Sequence, residues 1–240
     1  SAFTGRFRLE AAPYQHEPME AVNDTDVQSV VLMWASQTGK TEVINNVVGF
    51  FICEEPSPML VLQPTLDMAE TWSKDRLAPM VRDTAVLTDL VADPKARDQG
   101  NTVLHKRFKG GHITLAGANS PASLSSRPIR ILACDECDRY PHSSMAEGDP
   151  ITLASKRTDT FFNSVHIITS SPTIKGISRV EAEFDLTDQR RWFCPCPHCK
   201  EHQTLKWEQV SWDKDEDGKH LPETARLICS GCNKDISDKQ

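Results

Sequence analysis

Residues 30–42, VVLMWASQTGKTE, leave the chain few ways to fold. Val30 to Trp34 suits a buried strand, and the turn after it closes on Thr38-Gly39-Lys40-Thr41. From Thr41 to Phe51, Val43, Ile44, Val47, Val48 and Phe51 share one helical face. Strand, tight loop and helix are the layout of a phosphate-binding loop, in which free N–H groups at the helix start point at an anion. Read this way, Ser36, Gln37, Thr38, Gly39, Lys40 and Thr41 form an ATP-binding loop. Lys40 reaches the terminal phosphates and the Thr41 hydroxyl ligates Mg²⁺. The usual pattern has a second glycine five positions before Gly39, and Trp34 stands there instead. A Gly-Lys-Thr tripeptide is too common to define a site alone, so the rest of the chain must supply the acids.

Those acids come at the end of Ile129 to Glu136, IRILACDE. An apolar strand ending in two carboxylates can hold Mg²⁺ through Asp135 and deprotonate an attacking water through Glu136. A third apolar strand, Val165 to Thr169, runs into Ser170-Ser171-Pro172-Thr173, whose hydroxyls could sense a terminal phosphate or simply form a turn. Ligands of open α/β sheets sit beyond the carboxyl ends of the strands, where lysine, acids and hydroxyls would all fall. Met59 to Gln63 reads as another buried strand, and Thr65 to Val81 as a helix capped at Thr65 or Asp67. His105–Phe108 and His112–Ala116 read as a hairpin turning at Gly110-Gly111. Gly117 to Arg127 reads as a small-residue loop, and 151–162 contains a helical segment. Ahead of the first strand, an amphipathic helix is predicted around Glu17 to Val22. Tyr14 and Gln15 could contact an adenine there, or cap the sheet edge.

The totals frame these readings. At 240 residues the chain can hold one α/β domain and a small appendage. It has no apolar run near the ~20 residues of a membrane span and no signal-peptide core. A net charge of −7 gives no global reason to expect nucleic acid, yet residues 101–134 carry five Lys/Arg and no Asp or Glu. That local patch is either a polyanion contact or a solvated loop.

Five of the eight cysteines lie between Cys194 and Cys232. Cys196-Pro197-His198-Cys199 and Cys229-Ser230-Gly231-Cys232 are two C-x-x-C knuckles around 29 residues, the pattern of a zinc ribbon with a closed, structural Cys₄ site. Cys194 and His198 are not needed for four-coordination. Cys134 and Cys137 read as packing residues. The change of texture predicts two domains, 1–189 with the nucleotide loop and 190–240 around the cysteines. Residues 190–240 hold nine basic and nine acidic residues, which makes them no obvious DNA clamp.

Taken together, the chain resembles the ATPase portion of a tailed-phage large terminase subunit of the lambda type. The resemblance is carried by Pro13-Tyr14-Gln15, Ser36-Gln37-Thr38-Gly39-Lys40-Thr41-Glu42 and Leu132-Ala133-Cys134-Asp135-Glu136 with Asp138-Arg139-Tyr140-Pro141. It extends through Thr169-Ser170-Ser171-Pro172-Thr173 and the two cysteine knuckles, so it covers most of the chain. It implies a P-loop ATPase fold of the RecA/ASCE kind, a mainly parallel sheet with flanking helices, and a loop that dispenses with its first glycine. Many terminases carry an arginine in that loop, and here Ser36-Gln37 offers none. The resemblance further implies a motor that hydrolyses ATP with Mg²⁺ to drive double-stranded DNA into a procapsid. Such a motor assembles as a ring at the portal with the small terminase subunit, in the cytoplasm of the bacterial host. Thr169, Ser170 and Ser171 would correspond to the family's coupling motif. An arginine in cis or trans would complete the site, with Arg127, Arg130 and Arg157 as candidates. The family's nuclease domain is expected beyond residue 240. A helicase-type translocase with the same ATP site is the rival enzyme, and a zinc-ribbon DNA-binding adaptor with a vestigial loop is the rival without catalysis.

Overall fold

The computed structural model describes residues 7–91, 101–120, 124, 127–145 and 147–236. Two compact units meet in sequence between Asp188 and Gln189.

In the first unit a 3₁₀ turn, Pro13–Gln15, opens into α1 (His16–Ala21). Strand β1 (Ser29–Met33) then feeds the Gly39 turn, and α2 (Lys40–Cys53) follows directly. Next come β2 (Pro58–Gln63) and α3 (Leu66–Trp72), which passes through a π-helical stretch, Ser73–Leu77, into α4 (Ala78–Asp83). Thr65 caps α3 by accepting from the Met68 N–H at 3.2 Å, satisfying one of the donors a helix start leaves free. A short α5 (Ala85–Thr88) precedes the hairpin of β3 (His105–Phe108) and β4 (Gly111–Gly117). Strand β5 (Ile131–Cys134), helix α6 (Pro150–Ser155), strand β6 (Val165–Ser170) and helix α7 (Arg179–Asp185) complete the unit. The helix expected within 151–162 is thus only its first part, preceded by a cap in which Asp149 accepts from the Thr152 N–H at 2.9 Å. Of the loop expected over Gly117 to Arg127, residues 121–123, 125 and 126 lie outside the described residues.

The six strands are ordered β1-β6-β5-β2-β4-β3. Every neighbouring pair is parallel except β3 with β4. Because both faces are covered, the strands read as continuous apolar runs rather than alternating ones. One face packs Leu32, Val61, Ile113, Ala133 and Ile167 against Val43, Ile44, Val47 and Phe51 of α2. The other packs Leu60, Leu62, Leu132 and Ile168 against Tyr140, Ile151, Ala154 and Val180. Cys134 and Cys137 belong to this second cluster, both fully buried, and burial pushes both thiols up. They are packing residues despite their C-x-x-C spacing, because Cys134 lies in the strand itself.

The second unit is built from short strands. Strands β7 (Cys194–Pro195) and β8 (His202–Gln203) form an antiparallel pair. Strands β9 (Val210–Lys214), β10 (His220–Ile228) and β11 (Asp235–Ile236) form an antiparallel sheet ordered β11-β10-β9. Each C-x-x-C falls where one strand turns into the next, Cys196–Cys199 after β7 and Cys229–Cys232 between β10 and β11.

Candidate functional site

The loop between β1 and α2 depends on backbone that most residues resist. Gly39 has φ +82°, and a Cβ there would strike the Gln15 amide. Gln37 also sits at positive φ. The loop is braced from outside, since the Gln15 Nε2 donates to Thr38 O at 3.2 Å and Gly39 O at 3.4 Å. The Tyr14 hydroxyl donates to Thr38 O at 3.1 Å. Trp34, where a glycine was expected, meets the Tyr14 ring edge-on at 5.3 Å. The tryptophan thus packs the N-terminal segment onto the loop, which explains why Tyr14 and Gln15 lie beside it.

Lys40 is 4% exposed. Its Nζ donates to Ala35 O at 2.9 Å and to the Ser171 Oγ at 2.9 Å, and lies 3.8 Å from Glu136 Oε1. Asp135, also buried, accepts from the Thr41 hydroxyl at 3.2 Å, the Thr169 hydroxyl at 2.9 Å and the Gln63 Nε2 at 3.2 Å. Glu136 is held at φ 52° and ψ 48°, a left-handed conformation that costs a non-glycine residue ~1–2 kcal/mol. Strain of this kind collects where geometry serves function. Its second oxygen lies 3.8 Å from the exposed Arg139 guanidinium.

The strand order explains how these groups meet. β6 lies between β1 and β5, so its end inserts Thr169, Ser170 and Ser171 between the lysine and the acids. Each hydroxyl has its own contact: Thr169 with Asp135, Ser170 with the Asp138 N–H at 3.2 Å, and Ser171 with Lys40. Buried acid, lysine and hydroxyls facing one another at a helix start can receive a polyphosphate and a divalent cation.

The three arginines considered as completing the site lie elsewhere. The Arg130 N–H bonds Pro58 O at the start of β2, and its guanidinium is taken by Glu55 at 2.8 Å, Ser57 at 3.0 Å and Asn163 O at 3.1 Å. The Arg157 carbonyl accepts from the Ile129 N–H, just ahead of β5. Arg127 acts electrostatically on His105 and His112, and His112 pairs with Pro58 at the start of β2. All three therefore sit at the amino-terminal edge of the sheet, one strand length (roughly 15 Å) from the loop. Such a placement, away from their own Lys40, fits action in trans better than in cis. Sequence reasoning had also passed over Gln63 and Arg139. Gln63 reads as the last residue of an apolar strand, and Arg139 is one of many exposed arginines; only the fold turns both to the acids.

In the second unit the sulfurs of Cys196, Cys199, Cys229 and Cys232 lie within 4.8 Å of one another. The Cys196–Cys232 and Cys199–Cys229 pairs are 3.8 Å apart. A tetrahedron of sulfurs at ~2.3 Å from a metal has edges of about 3.8 Å, so the four residues fit such an ion. N–H groups of His198 and Gly231 point at the Cys196 and Cys229 sulfurs at 3.4 Å. Backbone donors from Cys232 and Gly231 hold the Cys229 thiol down at about 6. Buried Gln203 donates to the Cys229 sulfur at 3.4 Å and accepts from Ser230 and Gln209, orienting the second knuckle. His198 is engaged with the Asp235 carbonyl at 2.9 Å. Cys194 lies in β7, outside the cluster.

A mainly parallel α/β sheet with a lysine loop, paired acids and a hydroxyl strand end on one edge has the layout of the P-loop class of nucleotide-binding proteins. A family model described as phage terminase large subunit gpA, ATPase domain, matches residues 1–240, and the chain belongs to that family. The large terminase subunit of Enterobacteria phage P21 is 27% identical over 235 residues, covering 94% of this chain and 36% of the phage protein. That of Escherichia phage lambda is 26% identical over 202 residues, covering 83% and 32%. The chain thus spans about a third of the length of these relatives. Among solved structures, the HK97 bacteriophage large terminase matches with a TM-score of 0.59 at 15% identity, covering 75% of this chain and 36% of that one. The Thermus phage P74-26 large terminase ATPase domain matches at 0.52 and 18%, covering 83% of each. At such identities the likeness is one of fold.

Proposed function

We propose that this chain is the ATP-hydrolysing engine of a phage packaging motor, driving double-stranded DNA into a procapsid. The observation that carries the reading is a single network on the sheet's carboxyl edge: Lys40 with Ser171 and Glu136, and Asp135 with Thr41 and Thr169. In this reading Ser36, Gln37, Thr38, Gly39, Lys40 and Thr41 bind ATP, with Tyr14 and Gln15 beside the loop as adenine contacts. Lys40 exchanges its carbonyl and Ser171 partners for phosphate oxygens. Thr41 and Asp135 would hold Mg²⁺, which supplies charge neutralisation on the phosphates. Glu136, freed from Lys40 as the lysine turns to phosphate, accepts the proton of the attacking water. Thr169, Ser170 and Ser171 carry the change onward to the rest of the domain.

The family membership supports the wider setting: a homo-oligomeric ring at the portal of the procapsid, assisted by the small terminase subunit, in the cytoplasm of the bacterial host. No helix among the described residues is long and apolar enough to cross a membrane. Arg127, Arg130 or Arg157 would complete a neighbour's site in trans. The four cysteines would hold a structural Zn²⁺, with residues 190–240 as a zinc-ribbon-like subdomain following in sequence the ATPase domain of residues 1–189.

Two substitutions test the assignment. Lys40→Ala is expected to abolish ATP binding measured by calorimetry with Mg²⁺. Glu136→Gln should bind ATP normally while DNA-stimulated turnover falls ~100-fold or more. Full turnover in Glu136→Gln would remove the glutamate from its role. Absence of ATP binding by the unaltered chain would return the loop to the vestigial reading.

A further inference from the structure

Two charged residues outside the phosphate network lace it to the last helix of the first unit. Asp138, two residues beyond Glu136, commits its carboxylate to the segment that follows β6. One oxygen accepts from the Thr173 N–H at 2.9 Å and the Thr173 hydroxyl at 2.8 Å, and the other from the Val180 N–H at 2.8 Å. Its own N–H donates to the Ser170 Oγ. Arg179 makes the reciprocal connection. From α7 its guanidinium donates to Cys137 O at 2.9 Å, Tyr140 O at 3.3 Å and Pro141 O at 3.0 Å, and pairs with Asp149 at 3.1 Å. Each side chain therefore holds the backbone of the segment that bears the other.

The carboxyl of Asp138 is raised by burial, but the Val180 N–H and the Ser178 and Thr173 hydroxyls outweigh this and hold it below the usual range. It is an anion at neutral pH, and its bonds are charge-assisted, which makes them roughly twice as strong as neutral ones. The segment so held starts at Ser171, which contacts Lys40, and ends with α7 only a few residues before the second unit begins at Gln189.

We propose that Asp138 and Arg179 are positioning residues forming a crossed latch, through which the occupancy of the phosphate pocket, felt at Lys40 and Ser171, is passed to α7 and so to the chain entering the cysteine unit. The proposal rests on the ATP-site reading above. Neither residue touches a reacting atom. When Lys40 leaves Ser171 for a phosphate, the end of β6 is free to shift. The latch makes residues 137–141 and 173–180 move with it as one body.

Amide hydrogen exchange on the whole chain tests this, with Mg²⁺-ADP and with a Mg²⁺-bound non-hydrolysable ATP analogue. In the unaltered chain residues 172–185 should exchange differently under the two nucleotides. In Asp138→Asn they should exchange about tenfold faster and identically under both, as expected for a locally opened segment, while α2 keeps its nucleotide protection. The same variant should lose roughly tenfold or more in kcat at unchanged KM, the mark of a misplaced rather than an unbound site. Thr173→Val removes only the hydroxyl donor and should fall between the two, whereas Thr173→Ser should behave as the unaltered chain. This milder pair keeps the test decisive even where Asp138→Asn folds poorly. The latch is overturned by an Asp138→Asn protein that keeps the nucleotide difference in residues 172–185, or by identical behaviour of Thr173→Val and Thr173→Ser. Absence of nucleotide protection of α2 in the unaltered chain defeats the ATP site itself, and the latch with it.

Discussion

At the scale of single residues, the loop is set by what a side chain would cost. Gly39 needs positive φ, which costs an L-residue ~1–2 kcal/mol, and its missing Cβ leaves room for the Gln15 amide. Gly39→Ala should therefore lower the thermal midpoint and weaken ATP binding about tenfold, since that range of energy spans a factor of ten. Calorimetry and a melting curve check both. The double variant Gly39→Ala with Gln15→Ala should recover only the steric part, because φ remains strained. Full recovery would mean the backbone tolerates alanine there and the glycine serves contact alone. The glycine and Gln15 are both plain in the sequence, but that Gln15 fills the space left by the missing Cβ shows only when the turn Pro13–Gln15 is folded against the loop.

At the scale of elements, the β3–β4 hairpin is the sheet's antiparallel edge, and it collects cations. The rings of His105 and His112 are 5.3 Å apart. Burial lowers the affinity of both for a proton. For His105 the charges of His112, Arg127, Arg107 and Lys106 lower it further, and for His112 those of Arg127 and Arg107. Both groups are thus harder to protonate folded than unfolded. Stability should be full above the ordinary histidine value of ~6.5 and decline as pH falls through and below it. The melting temperature should drop between pH 7.5 and 5.5, and His112→Gln should reduce that drop. An unchanged slope in His112→Gln would place the effect on His105 or on His166, whose affinity for protons burial also lowers. The hairpin itself was readable from Gly110-Gly111 between two strand-like runs. The pairing of His105 with Thr114 and of Arg107 with His112, which gathers the charge on one face, depends on register and only the folded hairpin shows it.

At the scale of the whole molecule, the two units differ in what holds them. The first has apolar clusters on both faces of a six-stranded sheet. The second offers few buried side chains, chiefly Cys196, Cys229 and Gln203. A unit of that size rarely folds on its hydrophobic core alone, and the proposed metal at the four cysteines would supply the difference. One zinc per chain is expected from elemental analysis. Chelation, or Cys229→Ser with Cys232→Ser, should open residues 189–240 to protease while a fragment near residues 1–188 persists and still binds ATP. Resistance of the second unit after full metal removal would show that its short strands suffice.

The residue types to which the proposed function assigns chemistry were visible along the chain. A lysine loop, two acids at a strand end, three consecutive hydroxyls and two cysteine knuckles are local signals, because each depends on its own strand, turn or helix. Their convergence is not local. Placing β6 between β1 and β5 puts Ser171 against Lys40 and Thr169 against Asp135, across sequence separations of 131 and 34 residues. The same order leaves Arg127, Arg130 and Arg157 at the far edge and brings Gln63, Arg139 and Asp138 to the working one. Strand order is chosen by how two apolar faces are jointly covered, and that is an energy of the whole sheet rather than of any one segment.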